Sequence, residues 1–371
     1  MQGLEMEKVS SVLENADPFK TWWPAVIAVI VGIVVTVRTI MGGQRCPNDT
    51  NIKDNIVIIT GGSSGIGYEI AKVLAARGGR IILACRNMET ADKAAAIIKR
   101  ELQCVALPNV KDNLNESNSK DKFYVEARYL DLRSFDSVCR FARKILAEFE
   151  RVDILINNAG IIFDKTHTKT VDGFEQHLQV NYLSHFLLTH LLMPHLQKSS
   201  MGRVINVSAH AHASAKMDFT DPLNLAIHAD KFHVRDAFAH SKLAVLLSTR
   251  YLAKALKGTS VTVNCCTPGL VRGTSHLRNS PLMAAFCIKV MTLPWMWLFM
   301  KNPFEGAQCA VHLATEQQLR NISGEYFNDC NIAVSSELGQ NDELAEQLYA
   351  QTLTALKKKT KSDFYLKQKQ I

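Results

Sequence analysis

Residues 55 to 79 read NIVIITGGSSGIGYEIAKVLAARGG: a short apolar run, a cluster of glycines, then an amphipathic stretch closed by Gly78 and Gly79. Few folds accept that order. Ile56 to Ile59 are apolar without alternation, so this strand is covered on both faces, as in a parallel sheet between helices. The glycines then fall as TGxxxGxG from Thr60 to Gly67, with Ser63, Ser64 and Ile66 among them. Glycine turns the chain where a side chain would obstruct it, and a helix that starts at once presents free N–H groups and its positive end. Gly61, Gly65 and Gly67 thus make a cradle for a pyrophosphate.

The alternation continues. RIILAC (80–85), YVEARYLD (124–131), VDILIN (152–157), RVINVS (203–208) and VTVNCC (261–266) are strand-like, with helical stretches between them. In one of these, Ser134 caps a helix that places Val138, Phe141, Ala142, Ile145 and Phe149 on one face. LPNVKDNLNESNSKDK (107–122) is polar and reads as an exposed insertion. Repeated βα units predict an α/β fold, a single Rossmann-type doubly wound parallel sheet flanked by helices. At 371 residues and 47% apolar, the chain can fill one large core over residues 51 to 335. Residues 336 to 371 follow as a C-terminal helix and basic tail.

Ahead of this domain, residues 1 to 20 lead into TWWPAVIAVIVGIVVTV (21–37), the uncharged heart of a transmembrane anchor over 21 to 43. At about 1.5 Å per residue it is just long enough to cross a hydrocarbon core. Glu5, Glu7, Glu14 and Asp17 precede it, which argues against a cleaved signal peptide. Arg38, Arg45 and Lys53 after it outnumber Lys8 and Lys20 before it, favouring a cytosolic domain. The terminal KQKQI, with Lys367 and Lys369, resembles a dilysine retrieval signal of the endoplasmic reticulum, or is a solvated basic tail. Asn48-Asp49-Thr50 and Asn115-Glu116-Ser117 are glycosylation acceptors whose use would mark a lumenal domain instead. The net charge of +8 comes without a basic, aromatic-interleaved stripe, so nucleic acid is not an expected partner. Nine cysteines without a CxxC pair read as reduced thiols, and SAHAHASAKM lacks a carboxylate at ligand spacing, so no metal is expected.

TGxxxGxG, Asp131-Leu132, NNAG (157–160), Asn181 in VNYLSHF and PGLVRGT (268–274) occur in that order over residues 51 to 335. This series resembles the short-chain dehydrogenase/reductases. ACRN, NYLSHFLLT and HSKLA are most similar to the membrane-bound retinol dehydrogenases among them. The resemblance implies a nicotinamide dinucleotide. The position after the second strand holds Cys85-Arg86-Asn87 and no acid, which favours NADP(H), with Arg86 on a 2′-phosphate. By the same resemblance Asp131 and Leu132 border the adenine. Asn158, with Ala159 and Gly160, lies along the ribose, and Pro268, Gly269, Val271 and Thr274 hold the nicotinamide and diphosphate.

The family's chemistry uses a tyrosine as acid, a lysine four residues later, a serine and an asparagine. Lys242 and Asn181 match; the tyrosine position is Phe238. Where relatives read Ser-Ser, this chain reads Ser208-Ala209, and the second position is the usual catalytic one. Ser208 serves only if the strand end shifts by a residue. His240 faces about 200° from Phe238 on a helix, whereas His210 or His212 can reach the site from the following loop and suit proton transfer. Two readings stand: an oxidoreductase of lipophilic alcohols or carbonyls (retinoid, steroid or lipid aldehyde), or an NADP(H)-binding pseudoenzyme serving as scaffold or sensor. The segment 275–303 either caps a greasy pocket or rests on the core or membrane. Family members often pair through helices flanking the sheet, so a homodimer is a further expectation.

Overall fold

The computed structural model describes residues 23–106, 123–162, 167–225, 232–273 and 286–360. The expected polar insertion, Thr274, the first part of the cap, Asn115 and the KQKQI tail lie outside them. Eight strands form one sheet: β1 Ile56–Thr60, β2 Arg80–Cys85, β3 Val125–Tyr129, β4 Ile154–Asn157, β5 Gly202–Val207, β6 Val261–Thr267, β7 Tyr326–Asn328 and β8 Asn331–Ile332. Their order is β3-β2-β1-β4-β5-β6-β7-β8, parallel throughout except for the last pair. Ile58 pairs with Ile82 on one side and Leu155 on the other, and all three are fully buried. Strand order reverses between β1 and β4, so a crevice opens beyond their carboxyl ends, where such sheets bind ligands.

Helices cover both faces, as the unbroken apolar strands require. Gly65–Ala76 (α2), Met88–Ala106 (α3) and Pro303–Thr315 (α8) share one core. Phe135–Glu148 (α4), Ser184–Leu196 (α5) and Val234–Ala255 (α6) share the other. Ser134 caps α4 by accepting from Ser137 N at 3.4 Å, and the predicted face is buried. Phe149 is buried too, although as the extended residue that ends the helix.

The C-terminal helix α9 (Asp342–Lys359), capped by Asn341 on Leu344 N at 2.8 Å, lies over α5 and α6. Tyr349 stacks on Tyr251 with centroids 4.1 Å apart and bonds His190 Nε2 at 2.7 Å, while Thr352 bonds Tyr182 at 2.8 Å. The outer surface of α5 and α6 is therefore already occupied by the chain's own tail.

The apolar N-terminal helix α1 (Trp23–Gly42) has a mean hydropathy of 2.3 and is almost wholly exposed, a candidate anchor long enough to cross a bilayer. It runs beside Phe286–Phe299 (α7) and is strapped to the domain at its end. Arg38 bonds both oxygens of Glu305, at 2.5 and 2.7 Å, and sits 5.9 Å from the Trp297 ring. Glu305 is itself fixed by a capping box with Asn302 at the start of α8. Asn48 Oδ1 accepts from Arg77 and Thr315, each at 2.9 Å, and its amide donates to Glu316 at 2.8 Å. That acceptor asparagine is thus a structural strut, and its amide is not free in the folded protein.

Candidate active site

At the crevice lies a cavity of about 650 Å³, and it collects most of the residues singled out from the sequence. Gly61, Ser63, Ser64, Gly65, Ile66 and Gly67 form its floor at the start of α2. Asn158, Ala159 and Gly160 follow β4, and Ser208 and Ala209 follow β5. Phe238 and Lys242 come from α6, and Pro268, Gly269 and Val271 from the end of β6.

The floor fits a dinucleotide phosphate on its own geometry. Gly61 adopts φ +68°, and a Cβ on Gly67 would lie 2.4 Å from Gly61 O and 2.6 Å from Asn158 Nδ2. Backbone therefore comes as close to the cavity as it can, and Ser64 makes no side-chain cap bond, leaving the first N–H groups of α2 to an anion. Thr60 does not line the cavity but locks it. Its Oγ1 accepts from Asn158 N and Ala159 N, both at 2.9 Å, and contacts His185 Nε2 at 2.9 Å. Burial lowers His185 to about 4, so it stays neutral. Nothing in the sequence pattern marked this histidine.

Arg86 and Asn87 are exposed at the end of β2, outside the cavity lining. Gly61 N donates to Ala84 O at 2.9 Å, which puts that strand end beside the phosphate turn. Asn87 Oδ1 accepts from Thr90 N at 3.1 Å, so its side chain caps α3. Asp131 pairs with Arg133 at 3.2 Å; burial works to raise its carboxyl, but Arg133 and then Arg86 outweigh it and hold it below the usual range. Leu132 is buried, and its carbonyl accepts from Ser184 at 2.5 Å.

Asn181 stands behind the cavity on a π-helical segment, Gln179–Leu183, that the sequence did not announce. Its Oδ1 accepts from Ile161 N at 2.8 Å, and its amide donates to Ile161 O at 3.1 Å and Ser241 Oγ at 3.0 Å. π-bulges are frequent where a helix re-aims a functional group. Asn181 Oδ1 and Lys242 Nζ lie 3.3 and 3.6 Å from where a Cβ on Gly160 would be, so the three meet at one wall.

The family model described as Enoyl-(Acyl carrier protein) reductase matches residues 61–327. Human retinol dehydrogenase 13 is 38% identical over 326 residues, covering 88% of this chain and 92% of the relative. The chain belongs to the short-chain dehydrogenase/reductase family. Retinol dehydrogenase 12 of Bos taurus is 39% identical over 320 residues, 85% of this chain and 91% of the relative. Among solved structures, the Pseudomonas aeruginosa RhlG/NADP active-site complex aligns at a TM-score of 0.53 and 26% identity, over 78% of this chain and 98% of that one. An uncharacterised Mycobacterium paratuberculosis protein aligns at 0.63 and 26%, over 85% and 98%.

In this short-chain dehydrogenase/reductase Phe238 and Ala209, the two positions singled out from the sequence, line the cavity. Ser208 Oγ is buried and donates to Lys242 O at 2.9 Å, which leaves Ala209 as the residue after β5 with its side chain at the cavity. Lys242 Nζ donates to Val207 O at 2.8 Å and lies 5.8 Å from the Phe238 ring centroid. The histidines separate. His240 is buried against Pro222 O at 2.9 Å, and His212 has one ring nitrogen at Ala209 O (2.8 Å) while the other accepts from Ser336 N (3.2 Å). His210 alone among them lines the cavity. Arg235, which the sequence reading missed, lines it too; its spacing from Phe238 and Lys242 puts all three on one face of α6.

Lys242 is buried with no carboxylate against it among the described residues, and burial lowers it from 10.5 to about 8. Between those values the unfolded chain holds a proton that the folded one lacks, so stability of the cofactor-free protein rises with pH in that window. Lys242→Met is expected to flatten this rise and to leave the melting temperature at pH 7 equal or higher, while abolishing detectable turnover. Thermal melts of both proteins from pH 7 to 10 check it.

Proposed function

We propose that this protein is a membrane-anchored, NADP(H)-dependent oxidoreductase that interconverts a lipophilic alcohol and its carbonyl. One observation carries the reading: a single cavity is lined both by the phosphate-cradling turn, at Gly61 to Gly67, and by the apolar Ile162, Val234, Phe238 and Leu270. Bound NADPH supplies the hydride. Gly61, Gly65 and Gly67 hold its pyrophosphate, Asn158 to Gly160 flank the ribose, and Pro268 to Val271 enclose the nicotinamide side. Lys242 holds the ribose, and Asn181 keeps the wall carrying Gly160 in place through Ile161. Thr274 belongs to the same cofactor set by resemblance.

Arg86 at the tip of β2, without a nearby acid on that strand end, selects the 2′-phosphate. A charge-assisted contact of this kind is worth about 1.5–3 kcal/mol, or roughly 10- to 100-fold. Arg86→Glu is expected to weaken NADPH binding by that factor with NADH binding little changed, as read by quenching of intrinsic fluorescence.

The substrate enters from the bilayer. Arg272 N and Leu270 O at the cavity rim bond Lys301 O and N, each at 2.9 Å, and Arg272 holds Trp297 O at 2.8 Å. This ties the rim to α7, whose Trp295 is 64% exposed beside the anchor. Such an arrangement suits retinoid, steroid or lipid aldehydes, with the domain on the cytosolic face of the endoplasmic reticulum. A homodimer would need a surface other than α5 and α6, which α9 covers. A second reading, binding of NADP(H) without turnover, draws on Phe238 and on the hydroxyl of Ser208 being tied to Lys242 O.

A further inference from the structure

We infer that His210 is the proton donor to the substrate oxygen, taking the part left open at Phe238 and Ala209; this rests on the oxidoreductase reading. Carbonyl reduction needs an acid at the oxygen as it becomes an alkoxide. Among the described residues the cavity offers few groups for that task. Ser208 is committed to Lys242 O and Ser214 to Ala211 O at 2.9 Å, and neither hydroxyl is acidic at neutral pH. Ser63 and Ser64 belong to the phosphate turn. A guanidinium such as that of Arg235 donates hydrogen bonds but is not a proton donor in this chemistry. Lys242 Nζ already donates to Val207 O, and Lys242 is the residue assigned to the ribose.

His210 meets the remaining requirements. It follows Ala209 directly at the end of β5, opens the 3₁₀ turn His210–Ser214 that packs on α6, and lines the cavity. It is exposed, so solvent can restore its proton after each cycle. Among the described residues it makes no hydrogen bond, whereas His212 in the same turn has both ring nitrogens engaged. Imidazole is the side chain whose proton exchanges most readily near neutral pH. Among the described residues, Arg235 and Lys242 from α6 line the same cavity, and His212 lies in the same turn. In the step, the carbonyl carbon gains a hydride, the C=O π pair moves to oxygen, and that oxygen takes the His210 N–H proton. The neutral imidazole then recovers one proton from water.

The test uses full-length protein in detergent, with NADPH and a panel of lipophilic aldehydes, beside His210→Gln and His212→Gln. His210→Gln is expected to lower kcat by roughly 10²-fold or more with NADPH affinity unchanged, and His212→Gln far less. A second readout does not need turnover: carbethoxylation of His210 by diethyl pyrocarbonate, followed by mass spectrometry, is expected to be blocked by bound aldehyde. Equal turnover by native protein and His210→Gln, or aldehyde binding that leaves His210 labelling unchanged, overturns the assignment while the oxidoreductase reading stands. Native protein that binds NADPH yet reduces no aldehyde overturns both.

Discussion

The double variant Ala209→Ser, Phe238→Tyr is expected to reduce lipophilic aldehydes about 10²-fold faster than the native protein. A positioned general acid contributes roughly 10²–10⁴, and the gain falls at the low end because His210 already supplies part of it. The argument is local. Phe238 lines the cavity and is 8% exposed, Lys242 one turn later holds its Nζ 5.8 Å from the ring, and Asn181 and Ser241 brace the wall behind. Tyrosine differs from phenylalanine by one hydroxyl, and Phe238 lines the cavity, so the change is expected to cost little packing. Serine at 209 adds a donor that Ser208 cannot provide while it bonds Lys242 O at 2.9 Å. The two hydroxyls act on one oxygen, so their effects are not expected to add as independent factors. Either single variant should therefore fall well short of the pair. Steady-state NADPH oxidation at saturating aldehyde reads all four proteins.

Gly67→Ala is expected to abolish measurable NADPH binding. The added methyl would lie 2.4 Å from Gly61 O, 2.6 Å from Asn158 Nδ2 and 3.0 Å from Gly61 C, and the first and last of these are backbone. The turn must open, which displaces Gly61 and the Asn158–Thr60 bonds that set the cradle. Overpacking of this sort costs about 1–3 kcal/mol, so the protein should still fold at a lower melting temperature. Isothermal titration with NADPH, run beside a thermal melt, separates loss of the site from loss of the fold.

What the sequence disclosed and what it withheld follow from the range of the interactions. The cradle was legible because its frame is local: strand, turn and helix lie within Ile56–Ala76, and Gly67 answers to the backbone of Gly61 six residues before it. The cap by Ser134 and the buried face of α4 were legible for the same reason. The π-helical turn at Asn181 was not, since no local signal in QVNYL marks it and the Asn181 bonds to Ile161 and Ser241 are made 20 and 60 residues away. Ser208 illustrates the limit well. Period-two alternation said that it points away from the cavity, but only the packed α6 shows the Lys242 carbonyl that takes its hydroxyl. Helix geometry set His240 aside but left His210 and His212 alike in sequence, and the bonds of His212 to Ala209 O and Ser336 N are what leave His210 apart. Likewise a C-terminal helix was expected over 336–371, but the seat of α9 on Tyr251 and His190 is a contact across about 100 residues or more.

Transfer of the label from 4-deuterated NADPH to an aldehyde, followed by mass spectrometry of the alcohol, tests the central claim most directly. The full-length protein is incubated with retinoid, steroid and fatty aldehydes, and NADPH binding is confirmed in the same sample by nicotinamide fluorescence. The predicted result is one deuterium at the carbinol carbon of at least one lipophilic alcohol, at a rate that falls to background in Lys242→Met. Bound NADPH with no labelled alcohol from any aldehyde would contradict it, and would leave the cavity as a place where cofactor and lipid are held without being joined.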